Sequence, residues 1–163
     1  MEKKWKTRVF RWSIPIKMSL KDFLTYQAKT SPNPLGLEVS SAKGSYIFDS
    51  NGKKYLDFVA GISACSLGHR HPEIIRAIKK QLNKFLHVMV YGEYVQEPSV
   101  NLCKKLASLL PKKLEVTFLT NSGTEAIEGA MKLAKRCTKK SSFIAAKNSY
   151  HGSTQGALSL LGV

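Results

Sequence analysis

The sequence predicts an α/β chain, a short α+β segment at the amino end followed by the start of a mainly parallel sheet. Three observations carry that expectation. Residues 116–154 run in the order strand-like stretch, polar loop, amphipathic stripe, strand-like stretch, polar loop, which is the order of a β-α-β unit. Upstream, Asn51-Gly52 lies between two short β-prone runs, a hairpin pattern. Two more apolar stripes at helical spacing lie between these features.

Composition sets the outer limits. At 163 residues and 43% hydrophobic content, the chain is long enough for one core. No apolar run is long enough for a membrane-spanning helix. Cys65, Cys103 and Cys137 are far apart and form no C-x-x-C pair, which predicts reduced, buried thiols and a cytoplasmic location. The net charge of +15 invites a basic nucleic-acid-binding module as one alternative. Residues 1–17 hold +5 of it, and the rest is spread over lysine pairs such as Lys79-Lys80 and Lys139-Lys140. No aromatic-basic recognition motif accompanies those pairs, so solvated surface explains them better.

The elements follow in chain order. Residues 1–17 are basic, contain Trp5 and Trp12, and show no clear period. They lack the serine content of a transit peptide and the apolar core of a secretory signal. Ser19-x-x-Asp22 caps a helix carrying Leu20, Phe23, Leu24 and Ala28, and Ser31-Pro32-Asn33-Pro34 breaks it. Residues 35–39, 46–48 and 55–58 read as short strands, the last two joined by a type I′ turn at Asn51-Gly52. Residues 61–71 are small and turn-rich. His69 and His71 are two apart, a spacing that suits a shared metal, but no third ligand word follows; a structural role ahead of the helix opened by Pro72 is the better account. Ile74, Ile75, Ile78, Leu82 and Phe85 stripe that helix. Pro98 opens the next, with Leu102, Leu106, Leu109 and Leu110 on one side and Pro111 at its end.

Residues 116–120 are rich in β-branched and aromatic residues, as a buried strand is. Ser122-x-x-Glu125 is a capping box, and Ala126, Ile127, Ala130, Met131 and Ala134 line the helix that follows. Its first-turn amides sit at the positive end of the helix dipole, which suits a phosphate, with Gly123 allowing close approach and the Ser122 and Thr124 hydroxyls adding donors. The same pattern also describes a well-capped helix with no ligand. Residues 142–146 form a second strand-like run, followed by Lys147-Asn148-Ser149-Tyr150-His151-Gly152-Ser153-Thr154. In a right-handed β-α-β unit both loops leave the same edge of the sheet and flank one ligand. A phosphate cradle beside an aromatic ring points to a planar, phosphorylated cofactor.

At these residues the chain resembles the class III pyridoxal-phosphate aminotransferases, the group of acetylornithine, ornithine and 4-aminobutyrate aminotransferases. The matching words are Asn121-Ser122-Gly123-Thr124-Glu125-Ala126 and Tyr150-His151-Gly152-Ser153-Thr154, with Gly68-His69-Arg70-His71-Pro72 and Asp57-Phe58-Val59-Ala60-Gly61 upstream. The resemblance covers about residues 19–163, the front part of a family member. It implies the fold-type I transferase fold and pyridoxal 5′-phosphate as cofactor. Ser122, Gly123 and Thr124 then hold the phosphate, Tyr150 stacks on the ring, and His151 lies beside it. No metal is implied. It divides the chain into a basic extension at 1–17, disordered or a misassigned start, a small-domain segment with a β-meander at 18–70, and the start of the cofactor-binding domain at 71–163. It implies transfer of an amino group from an amino acid or ω-amine to a 2-oxo acid, in a homodimer. It places the Schiff-base lysine downstream, so the expectation is a truncated, inactive fragment with no catalytic residue of its own; Lys147 reads as surface. A non-catalytic phosphate-ligand module is the other alternative.

Overall fold

The computed structural model describes residues 19–89 and 91–162, so the basic segment at 1–17 lies outside the described residues. Contacts divide the chain into two compact units, with the boundary between Val88 and Met89.

The first unit opens with helix α1 (Leu20–Tyr26), started as expected by the Ser19 hydroxyl, which accepts the Asp22 amide at 3.4 Å. Three antiparallel strands follow in the order β1 (Val39–Lys43), β2 (Tyr46–Asp49) and β3 (Lys54–Leu56). β1 begins where the expected strand at 35–39 ends, because its partners run from Val39↔Asp49 to Lys43↔Tyr46. The β2–β3 turn is not type I′. Asn51 keeps a negative φ, Gly52 sits at +81°, the Gly52 amide donates to the Asp49 carbonyl at 3.1 Å, and the Asp49 amide to that of Lys53 at 3.0 Å. This is a type I turn closed by a glycine bulge.

The cause is Asp49. Its Oδ1 accepts the amides of Asn51 and Lys53, each at 2.9 Å, and its Oδ2 the Tyr55 hydroxyl at 2.9 Å. Partial burial works against the charged form, but the Lys53 amide, the Tyr55 hydroxyl and the Asn51 amide outweigh it and hold the carboxyl below its ordinary range.

Asp57 ends β3 early, two residues short of the expected strand end at 58. Its Oδ1 accepts the Val59 and Ala60 amides at 3.0 and 2.9 Å, and its Oδ2 lies 2.7 Å from His69 Nε2. The His69 ring first, then the Ala60 amide, holds the Asp57 carboxyl below its ordinary range. His69 is also stitched to the β1–β2 turn through paired backbone bonds with Gly44 of 2.9 and 2.8 Å. Among the described residues no three metal-ligating side chains cluster. Between Asp57 and His69 lies the one-turn helix α2 (Ala60–Ser63), with Ala60, Gly61, Ile62 and Ser63 at φ of +48°, +61°, +57° and +66°. Helix α3 (Pro72–Leu82) has Pro72 in its first turn as expected.

The second unit holds α4 (Glu97–Leu109), α5 (Gly123–Thr138) and the single turn α6 (Gln155–Leu158). The expected strands at 116–120 and 142–146 carry no ladder hydrogen bonds. Their apolar side chains lie open: Val116 is 94% exposed and Phe118 85%, and Ile144 is fully exposed. A parallel strand needs paired neighbours and cover on both faces, and among the described residues neither is present here. Helix stripes are open too, with Ile78 and Leu82 of α3 half exposed. Among the described residues Ala157 is the one fully buried apolar side chain. The cysteines follow suit: Cys65 and Cys103 are half-buried and Cys137 is exposed, all free, so the expected buried thiols are not found. The paired lysines are exposed as expected. No described helix is long and apolar enough to cross a membrane.

Candidate cofactor site

α5 starts where it does because Ser122, in extended conformation, turns its hydroxyl oxygen onto the Glu125 amide at 3.2 Å. Glu125 reaches back in turn, but to the Asn121 amide at 2.9 Å, one residue further out than a reciprocal box requires. The Ser122 carbonyl takes the Ala126 amide at 3.1 Å and the Thr120 hydroxyl at 3.0 Å. The amides of Gly123 and Thr124 therefore precede the first intrahelical donor, the Ala126 amide, at the positive end of a 16-residue helix.

The loop at 147–154 forms the opposite wall. Tyr150 is 77% exposed, His151 is half-buried and Gly152 is buried. Gly123, Thr124, Ile127, Tyr150, His151, Gly152 and Ser153 line one open concavity of about 510 Å³. The structure thus brings together Gly123, Thr124, Tyr150 and His151; Ser122 flanks the concavity and is not part of its lining. No lysine or arginine lines it, and Lys147 is an exposed residue outside it. A Cβ built on Gly123 meets nothing within 4 Å, so the space before that amide is open to an incoming group. A flat ring with a phosphate arm fits this donor set and this opening.

What the sequence reading passed over is the tie between the two walls. Glu128, one turn beyond Thr124, accepts the Thr154 hydroxyl at 2.7 Å and the Gly156 and Ala157 amides at 2.8 and 3.2 Å, all on Oε1. The Thr154 hydroxyl most of all, with those amides, holds the Glu128 carboxyl below its ordinary range against the opposing effect of partial burial. Thr154 also meets Thr124, hydroxyl to hydroxyl at 2.7 Å. Thr124 and Thr154 stand in the motif words, but Glu128 lies outside them and off the apolar stripe of α5, where it reads as a solvated side chain.

A helix start with two open amides and an exposed aromatic ring share the walls of one open cradle. Comparison with known proteins gives that cradle its family. The model for "Aminotransferase class-III" matches residues 26–162, and the chain belongs to that family. The acetylornithine aminotransferase of Methanosarcina mazei is 44% identical over 124 residues, 76% of this chain and 30% of that protein. The uncharacterized aminotransferase YodT of Bacillus subtilis is 43% identical over 130 residues, 76% of this chain and 29% of that one. Among solved structures, adenosylmethionine-8-amino-7-oxononanoate aminotransferase from Methanocaldococcus jannaschii matches with a TM-score of 0.82 at 34% identity, over 88% of this chain and 35% of that one. The omega transaminase of Pseudomonas jessenii in complex with PMP matches with a TM-score of 0.77 at 27% identity, over 90% and 35%. The fold is thus that of the amino-terminal portion of these pyridoxal-phosphate-dependent transaminases, and the chain spans about 30% of the length of the curated relatives it matches.

Proposed function

We propose that this chain supplies the phosphate-and-ring side of a pyridoxal-phosphate site in an aminotransferase. The observation that carries the reading is the single concavity shared by the α5 start and the Tyr150–His151 loop. The Gly123 and Thr124 amides, with the Ser122 hydroxyl, meet the phosphate. Tyr150 lies against the ring and His151 beside it. In this reading residues 18–70 are a small-domain segment and residues 71–163 the start of the cofactor-binding domain.

Bound there, pyridoxal phosphate supplies an electron sink for amino-group transfer. The chain's own residues anchor and orient it. In this reading the whole protein transfers an amino group from an amino acid or ω-amine to a 2-oxo acid, as a homodimer in the cytoplasm. The lysine and aspartate that it places downstream have no counterpart in the motif words present, so these 163 residues bind the cofactor weakly and do not turn over.

The test is calorimetric titration of the 163-residue protein with pyridoxamine phosphate, alongside Tyr150→Ala. Binding weakened about tenfold by that change is expected, the size of one lost aromatic contact. Equal affinity in the variant overturns the placement of the ring, and transaminase turnover by the purified chain overturns the inactivity. Salt-dependent binding of random duplex with no response to pyridoxamine phosphate supports the nucleic-acid alternative instead.

A further inference from the structure

The Glu128–Thr154–Thr124 chain has a direction. An ionised carboxylate offers only lone pairs, so in its 2.7 Å contact with Glu128 the Thr154 hydroxyl is the donor. A hydroxyl has one proton. In the 2.7 Å contact between the two threonines Thr124 must therefore donate, and its oxygen also faces the Thr154 amide at 3.4 Å. The Thr124 proton is thus spent inside the protein. A phosphate dianion needs donors, so the Thr124 residue offers it only its backbone amide.

The same carboxylate seats the loop. Thr154 is the N-cap of α6 but makes no side-chain cap bond, and Glu128 takes over that task by accepting the Gly156 and Ala157 amides. Space is tight on this side: a Cβ on Gly156 would stand 2.4 Å from a Glu128 carboxylate oxygen. We infer that Glu128 is the positioning residue of the site, holding the Tyr150–His151 loop against the start of α5 and turning the Thr124 hydroxyl away from the ligand. This inference rests on the cofactor reading above for its ligand and on the hydrogen bonds alone for its geometry.

Two arms test it on the full 163-residue chain. In the first, amide hydrogen exchange at Gly156 and Ala157 is compared among the wild type, Glu128→Ala and Glu128→Gln. Alanine removes all three acceptor contacts, so exchange there speeds by roughly tenfold or more. Glutamine keeps an Oε1 acceptor and holds exchange within roughly threefold of the wild type. In the second arm, pyridoxamine phosphate and inorganic phosphate are titrated separately. Glu128→Ala weakens pyridoxamine phosphate by roughly tenfold while inorganic phosphate is not weakened, because the ring wall moves, the α5 amides do not, and the Thr124 hydroxyl is released. A general loss of structure would weaken both ligands alike. Thr154→Val serves as a second variant: it leaves Glu128 its two amides, frees the Thr124 proton and tightens inorganic phosphate.

Unchanged exchange in Glu128→Ala, or equal loss in Glu128→Gln, overturns the inference. Equal weakening of both ligands does so too. If the wild type takes up neither ligand, the cofactor reading falls and the exchange arm still decides whether Glu128 seats the loop.

Discussion

Gly152 lies against Thr124 so closely that a Cβ on the glycine would stand 2.4 Å from the threonine Cβ and 3.0 Å from its Cα. The two walls of the concavity therefore meet at a point where no side chain fits between them. Gly152 is also at φ +122°, where L-residues are strained. Gly152→Ala is expected to push the loop off α5 at a cost on the order of 2 kcal/mol or more to the closed loop. Limited proteolysis between residues 147 and 154 reads it, and unchanged cleavage rates would count against the close seat.

Ser122 separates the capping role from the ligand role. Ser122→Ala removes the oxygen that receives the Glu125 amide, and is expected to lower the stability of α5 by about 1 kcal/mol. Ser122→Asp keeps a capping oxygen but sets a negative charge beside the anion. Its melting temperature should match the wild type while phosphate affinity falls by roughly tenfold or more. Calorimetry and a thermal melt on the same sample decide it; tight phosphate binding by the aspartate variant would place the anion elsewhere.

Asp49, Asp57 and Glu128 all have carboxyls held below their ordinary range in the folded chain. Each contributes its stability in full above the unfolded value, about 4, and loses it as pH falls through the lowered folded value. The melting temperature is thus expected to fall steeply on the acid side of about pH 4. Asp57→Asn should flatten that acid limb. Superimposable acid limbs for the wild type and Asp57→Asn would show that the His69 partnership contributes nothing.

Ile62 is a β-branched residue at φ +57° whose side chain is 89% exposed. It contributes strain and little packing. Ile62→Gly is expected to raise the stability of the first unit by up to about 1 kcal/mol, the left-handed penalty less the entropy cost of glycine. Denaturant unfolding measures it, and a clear loss of stability would mean that the isoleucine has a contact role.

Local signals were legible wherever a side chain acts on its own backbone. Ser19, Ser122 and Pro72 announced helix starts because capping needs only neighbouring residues, and those starts are where the sequence puts them. Asn51-Gly52 misled because the turn type is decided by Asp49, whose carboxylate collects the loop amides. The runs at 116–120 and 142–146 have strand chemistry, but pairing is a property of two chains of atoms and not of one. The gathering of Gly123 with Tyr150 followed from β-α-β order; the Glu128 tie did not, because a carboxylate on a helix reads as solvated until the donors it accepts from are seen.

Val116, Phe118 and Ile144 give this chain a physiology as well as a geometry. Open, mainly apolar runs outside any strand ladder are what holdase chaperones grip and what cross-β assembly copies from one molecule to the next. For the isolated 163-residue polypeptide this predicts a race among capture, proteolysis and clumping. Expression yield, dye uptake and turbidity will report on those segments before any assay reports on the cradle.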